Sequence, residues 1–382
     1  MQRKCVNEMN LIYLDYNGTT PVDPEVVEAM LPYLREHFGN PSTRSPLGQR
    51  AKAGLERARE QVAALIKARP DEIYFTSGAT EANNWVVLGL APTQMVTTTI
   101  EHPSVLKACD RLEAQGVGTV RRLPVDGHGC LRPEQLDGVA ARLVSIMHSN
   151  NEVGTLQPIA ELAARARAAG ALFHTDAAQS LGKLDVDVQA WGVDFLTIAG
   201  HKLYAPKGIG ALYVRQGTAV DPYLLGAGQE RGLRSGTENV ALAVALGAAC
   251  ELAGRRGIED GARMKKLRDH LQHRLTSELG DRVVVNGHPQ NRLPNTLSIN
   301  FRGTTGAALL QECPQLAAST GPACHDGVVR LSHVLAALGI DPEVGKGAVR
   351  LSLGRLTSAQ EVETTAATLI AAYQKVSLLP KE

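Results

Sequence analysis

From residue 73 to residue 214, short β-like runs and helical runs take turns, and this alternation narrows the possible folds more than any other feature. "EIYFTS" precedes "TEANNWVVLGL", "MVTTTI" precedes "PSVLKACDRLEA", and "RLVSIMH" precedes "IAELAARARAA"; then come "ALFHTD", "VDFLTIA" and "IGALYV". Several strand-like runs are continuously apolar instead of alternating, the pattern of strands covered by helices on both faces. The expected class is therefore α/β, a large and mostly parallel sheet between helical layers. Upstream, Leu47, Ala51, Leu55, Ala58, Val62 and Leu65 share one helical face and predict a covering helix. From about residue 256 the texture changes to a long polar helix over 258–280, then "RVVVN", "TLSINF" and "AVRLSL", and a closing helix near 358–375. These elements predict a smaller α/β domain over 256–382, joined by the N-terminal segment 1–17, beside a large domain over 18–255.

Composition excludes several classes. The 382 residues carry 40 Lys+Arg against 39 Asp+Glu, with no block of like charge, which argues against nucleic acid or an anionic membrane surface as partner. No run approaches the ~18 apolar residues of a membrane span. The charged N-terminus "MQRKCVNEMNLIYLDY" has no apolar core of a signal peptide. A soluble, cytoplasmic protein is expected. The cysteines at 5, 109, 130, 250, 313 and 324 show no paired metal-ligand spacing, so no metal site is expected. Cys109 and Cys250 fall on helical runs, as small buried hydrophobes do.

In open α/β sheets ligands gather at the C-terminal ends of the strands. After "EIYFT" comes Ser77-Gly78-Ala79-Thr80-Glu81, a phosphate cradle of backbone N–H groups at a helix start or else an ordinary capping box. After "MVTTTI" comes His102, after "RLVSIMH" comes Asn151, after "ALFHT" come Asp176 and Gln179, and after "VDFLTIA" come His201 and Lys202. Singly, His102 reads equally as a satisfied histidine, Asn151 as a turn residue and Asp176 as a helix cap. Together they suit one chemistry. A lysine at a buried strand end costs several kcal/mol as an ammonium, but a lysine that forms a Schiff base needs that dryness to be nucleophilic. Pyridoxal 5′-phosphate (PLP) adds the demand for a carboxylate at its ring nitrogen, which Asp176 supplies. Gln179 and Asn151 would serve the phenolate oxygen, His102 the ring face, and residues 77–80 the phosphate.

At this point longer motifs count. "YLDYNGTTPVDPEV", "FGNPST", "TSGATEANN", "EHPSV", "MHSNNEVG", "HTDAAQSLGK", "GHKLYAPKGIGALYVR", "GQERGLRSGTEN" and "VRLSLGR" resemble those of cysteine desulfurases, fold-type I PLP enzymes of the class V aminotransferase group. The resemblance runs from about residue 12 to 375. It implies that Lys202 holds PLP, Asp176 pairs with the pyridinium, and His102 stacks on the ring and shuttles protons. Asn151 and Gln179 would bond the phenolate oxygen, and Ala79 (through its backbone), Thr80 and His201 the phosphate. Thr237 would reach the phosphate from the other subunit of a homodimer. Arg350 would clamp the substrate carboxylate, a task suited to a planar guanidinium. Cys324, in the small-residue loop "ASTGPACHDG" of the small domain, would take sulfur from L-cysteine as a persulfide, release alanine, and pass the sulfur to an acceptor protein.

The chain also departs from that pattern. Ala199 stands where many relatives have a serine before Gly-His-Lys, and Pro46 stands near a place where many have a histidine. With "RLPNT", "RSGTEN" and His325 directly after the cysteine, these differences resemble selenocysteine lyases, which act on L-selenocysteine. A plain PLP aminotransferase is a further alternative and would have no use for Cys324.

Overall fold

The computed structural model describes residues 11–320, the backbone of 323–325 and 328–330, and residues 331–377. After a short strand β1 (Ile12–Tyr13) the chain enters a seven-stranded sheet built from β2 (Ile73–Thr76), β3 (Gln94–Thr98), β4 (Thr119–Leu123), β5 (Leu143–Ser145), β6 (Leu172–Asp176), β7 (Phe195–Ala199) and β8 (Gly210–Val214). Its order is β2-β8-β7-β6-β5-β3-β4, and only β8 runs against its neighbours. The C-terminal ends of β2, β3, β5, β6 and β7 therefore lie along one edge. The continuous apolar runs are explained by two cores. Phe75, Val96, Val144 and Phe173 pack on one face of the sheet, while Tyr74, Met95, Leu143 and Phe195 pack on the other.

The predicted helix near residue 50 spans Pro46–Leu65 and buries Ala51, Leu55, Ala58 and Val62, while Leu47 at its start is 37% exposed. Pro46 is its first residue, behind the Ser45 cap, where a missing N–H costs nothing. The polar helix expected over 258–280 is the second half of one 40-residue helix, Val240–Leu279. Leu246 and Cys250 join the core of the large sheet, and Leu271, Leu275 and Leu279 join a second core. The change in texture near residue 256 marks a helix passing from one core to the other, without a break in the backbone.

That second core lies under a four-stranded antiparallel sheet of β9 (Val283–Val285), β10 (Thr296–Phe301), β12 (Ser319–Thr320) and β15 (Ala348–Ser352), ordered β12-β15-β10-β9. The closing helix Ala359–Ser377 covers it. Between them β11 (Leu316–Ala317) pairs parallel with β1, and Ile12 and Leu14 enter this core. The stretch around Cys324, expected as an irregular loop, forms a hairpin of β13 (Ala323–His325) and β14 (Val328–Arg330), in which the β-branched pair Val328-Val329 suits a strand. No helix among the described residues is long and apolar enough to cross a membrane.

Candidate active site

Lys202 ends a short 3₁₀ turn, Gly200–Lys202, directly after β7. It is half-buried, and its Nζ donates to the carbonyls of Asn17 and Gly18, the latter at 2.6 Å. Burial, with the charge of Arg350 second, pushes its pKa down from 10.5 to about 8. A fraction of neutral amine is thus present near neutral pH, as a nucleophilic lysine requires.

At the end of β6 the carboxylate of Asp176 is buried, and both its oxygens accept N–H donors. Oδ1 takes the Ala178 amide at 2.9 Å and Oδ2 takes Asn83 Nδ2 at 2.7 Å. Asn83 Nδ2 spends its other hydrogen on Ser104 Oγ at 2.8 Å, and Ser104 Oγ lies 2.8 Å from His102 Nδ1. The Ser104 amide also donates to His102 Nδ1, at 3.1 Å. An amide can only donate, so Nδ1 is the acceptor and the neutral ring carries its proton on Nε2. His102 is the N-cap of the helix Pro103–Ala114 and keeps an accessible ring face. Partial desolvation, against the pull of Asp176, lowers its pKa below 6.5.

Gln179 is buried, and its Nε2 donates to Asn17 O at 2.9 Å, the carbonyl that also meets Lys202. Lys183, also buried, donates to Gln179 O at 2.8 Å and to Gln179 Oε1 at 3.4 Å. With Oε1 taken, the amide presents its N–H₂ toward the site. His201 Nδ1 lies 3.1 Å from Thr19 Oγ1, and burial followed by Lys202 pushes its pKa down to about 4.

The helix Ala79–Leu90 begins at Gly78, whose φ of 152° is available to glycine and hardly to other residues, and no side chain among the described residues caps it. Glu81 reaches instead to the Ser77 amide at 2.8 Å and to Arg234 at 2.8 Å. The first-turn N–H groups at Ala79 and Thr80 are thus left to an anion, with the helix dipole behind them. Gly78, Lys202, Asp176 and His102 supply an anion cradle, a dry amine, a buried acid and an accessible ring, which is the donor set PLP needs.

Arg350 on β15 donates from Nη1 to Asn151 O at 3.0 Å and from Nη2 to Ser319 Oγ at 3.0 Å and Asp15 Oδ1 at 2.6 Å. A cavity of about 140 Å³ opens here, lined by Asn151, Glu152, Ser298, Ser319, Thr320, Leu335 and Arg350. A larger open groove of about 700 Å³ between the helices Pro46–Leu65 and Val240–Leu279 has charged walls such as Glu56 and Arg57, and none of the five strand ends reaches it. Thr80 and Thr237 are exposed, and Thr237 lies in the approach to the long helix, outside the bonded cluster. Cys324 sits opposite Val329 in the β13–β14 hairpin, and its side chain lies outside the described residues. Among the described residues no group of three His, Cys, Asp or Glu side chains is arranged to hold a metal ion. His174 instead bonds Ser145 Oγ at 2.8 Å and Thr197 Oγ1 at 3.0 Å inside the sheet.

Residues 12–365 match the Aminotransferase class-V family. The chain belongs to that family. Its similarity to curated members is nearly full-length. It is 41% identical over 390 residues to "Cysteine desulfurase IscS" of Methanosarcina thermophila, covering 98% of this chain and 96% of that one. It is 43% identical over 367 residues to "Cysteine desulfurase" of Mus musculus, covering 93% and 80%. Among solved structures it is similar to a "NifS-like protein" with TM-score 0.88 and 36% identity over 97% of this chain and 100% of that one. It is also similar to "SspA in complex with cysteine", with TM-score 0.80 and 33% identity over 91% and 99%. The fold-type I architecture, the class V assignment and the PLP cofactor agree with the expectations from sequence.

Residues of this site that the sequence left unassigned include Asp15, Asn17, Asn83 and Lys183. Asn83 carried a signal, since it shares a helical face with the apolar Val86, Val87 and Leu90. Lys183 carried a weaker one, four residues after Gln179.

Proposed function

We propose that this chain is a PLP-dependent cysteine desulfurase, which moves the sulfur of L-cysteine onto Cys324, releases L-alanine, and hands the sulfur to an acceptor protein. The observation that carries this reading is the Lys202 amine at the end of β7, with its pKa lowered to about 8.

Bound PLP supplies an electron sink for the pair left at the substrate Cα. Lys202 would hold the cofactor through Nζ, and its amine, when free, would move the substrate Cα proton. Asp176, pinned by Asn83, would accept from the ring N–H. His102 would cover the ring face and serve as the second proton carrier. Gln179 and Asn151 would serve the phenolate oxygen. The Ala79 amide, Thr80 and His201 would hold the phosphate, and Thr237 from a second copy would complete that site. Arg350 takes the substrate α-carboxylate. The Cys324 thiolate bonds to the substrate sulfur as the S–Cβ bond breaks. The electron pair of that bond stays with the Cβ side, which picks up a proton and leaves as alanine.

The two cores support dividing the chain into a PLP-binding domain over 18–255 and a smaller domain over 256–382 with segment 1–17. A homodimer is supported by Thr237, which is exposed and lies outside the bonded cluster of its own copy. Cys109, Cys130, Cys250 and Cys313 are free thiols, the state favoured in a reducing cytoplasm. Selenocysteine lyase is the second reading, favoured by Ala199 at the end of β7 and by His325 beside Cys324.

Alanine release from L-cysteine and L-selenocysteine, measured side by side, tests both readings. Turnover of L-selenocysteine alone would overturn the first. A Cys324→Ala enzyme should keep the visible absorbance of lysine-bound PLP and form no persulfide.

A further inference from the structure

Arg350 already carries a carboxylate from its own chain. Asp15 Oδ1 accepts from Nη2 at 2.6 Å, with the two side chains 27% and 14% exposed, so water screens the pair only in part. Nη1 serves Asn151 O, and Nη2 also serves Ser319 Oγ. Nε is buried and has no acceptor among the described residues. A guanidinium offers a carboxylate two parallel N–H groups. Here Asp15 uses Nη2 and leaves Nε unfilled, so a carboxylate that engaged both would have the advantage.

Asp15 is built into its place. Its carbonyl accepts the amides of Gly18 at 2.9 Å and Thr19 at 3.2 Å, and its backbone bridges to Ser352. Its carboxylate lies so close over Gly18 that a Cβ there would stand 2.4 Å from Oδ2. The carbonyls of Asn17 and Gly18 in the same turn receive the Lys202 amine. One turn of N-terminal chain thus satisfies two basic groups of the site, the arginine with a carboxylate and the Lys202 amine with carbonyls.

We propose that Asp15 is a resident carboxylate that the substrate α-carboxylate must displace from Arg350, and that it thereby sets the affinity of the site for amino acids with a free carboxylate. This rests on the reading of Arg350 as the carboxylate site. Asp15 acts through Arg350, as a specificity-determining residue that leaves the reacting atoms untouched.

The test is calorimetric titration of the holoenzyme with L-alanine, and with L-alaninamide as the probe lacking a carboxylate. Wild type, Asp15→Asn, Asp15→Ser and Arg350→Lys are compared, with KM for L-cysteine measured alongside. The exchange of a half-screened ion pair predicts that both Asp15 variants bind L-alanine about fivefold tighter and lower KM in step, while L-alaninamide shifts by less than about twofold. L-Alanine binding that is unchanged or weaker in both Asp15 variants, yet weakened by Arg350→Lys, overturns the resident role and keeps Arg350 as the carboxylate site. Binding that Arg350→Lys leaves intact removes the reading of Arg350, and the role of Asp15 with it.

Discussion

Asn83 Nδ2 bridges Asp176 Oδ2 at 2.7 Å and Ser104 Oγ at 2.8 Å, so one buried amide couples the acid at the end of β6 to the imidazole after β3. Asn83 Oδ1 is buried without a partner among the described residues, so the residue is kept for its two donors. Asn83→Ala leaves a buried carboxylate short of a donor, which costs about 1–3 kcal/mol. Urea unfolding should show that loss, and PLP should leave the variant faster on dialysis than it leaves wild type. Asn83→Asp should be worse, because it sets a second carboxylate against Asp176. An Asn83→Ala enzyme with wild-type retention of PLP would show that Asp176 needs no such support.

Burial holds the His102 pKa below the ordinary imidazole value, and because Nδ1 accepts the Ser104 amide the neutral ring carries its proton on Nε2. Acid must protonate Nδ1 against that amide. A profile of kcat/KM against pH should therefore have its acid limb displaced downward from the ordinary imidazole position. His102→Gln should keep the PLP absorbance, lose about 10²–10³-fold in kcat, and lose the acid limb assigned to the imidazole. An acid limb above 6.5 in wild type would place the controlling group elsewhere.

The strand ends were legible because their geometry follows from the alternation of runs alone. Parallel strands put their C-termini on one edge, so Asp176, Asn151, His102 and Lys202 had to gather there once the sheet was inferred. What stayed hidden depends on contacts that no local pattern encodes. Asn17 meets Lys202 across 185 positions of sequence, and Asn83 meets Asp176 across 93. The same holds for Asp15, which reads in "YLDYNG" as an ordinary turn acid until Arg350, 335 residues on, is placed against it. The 40-residue helix was hidden for a different reason. Its first half is Ala- and Val-rich against the large core, its second half is amphipathic, and the change looks like a boundary.

Gly78 sets the direction of the helix that would receive the phosphate. At φ 152° an added Cβ meets nothing within 4 Å, so the cost of Gly78→Ala is backbone strain alone. That strain is worth about 1–3 kcal/mol. Gly78→Ala should lower the urea midpoint accordingly, and it should weaken the hold on PLP because relaxing φ turns the amides of Ala79 and Thr80 away. Unchanged stability together with unchanged PLP affinity would mean the backbone tolerates alanine as it stands.

Lys183 gives the sharpest electrostatic test. It is buried, and desolvation followed by the nearby charge of Lys202 pushes its pKa from 10.5 down to about 7. Between those values the unfolded chain holds a proton that the folded chain has released. Folding stability therefore rises with pH across that window, and below it the fold bears the full burden of a buried charge. Lys183→Met removes this term and leaves the other titrating groups in place. The difference in unfolding free energy, variant minus wild type, should thus be most favourable to the variant near pH 6 and shrink steadily toward about pH 10. The loss of a donor to Gln179 shifts both ends of that curve equally and leaves its slope alone. A difference that stays flat over the window would mean the amine keeps its proton inside the fold, and that Gln179 accepts from an ammonium throughout.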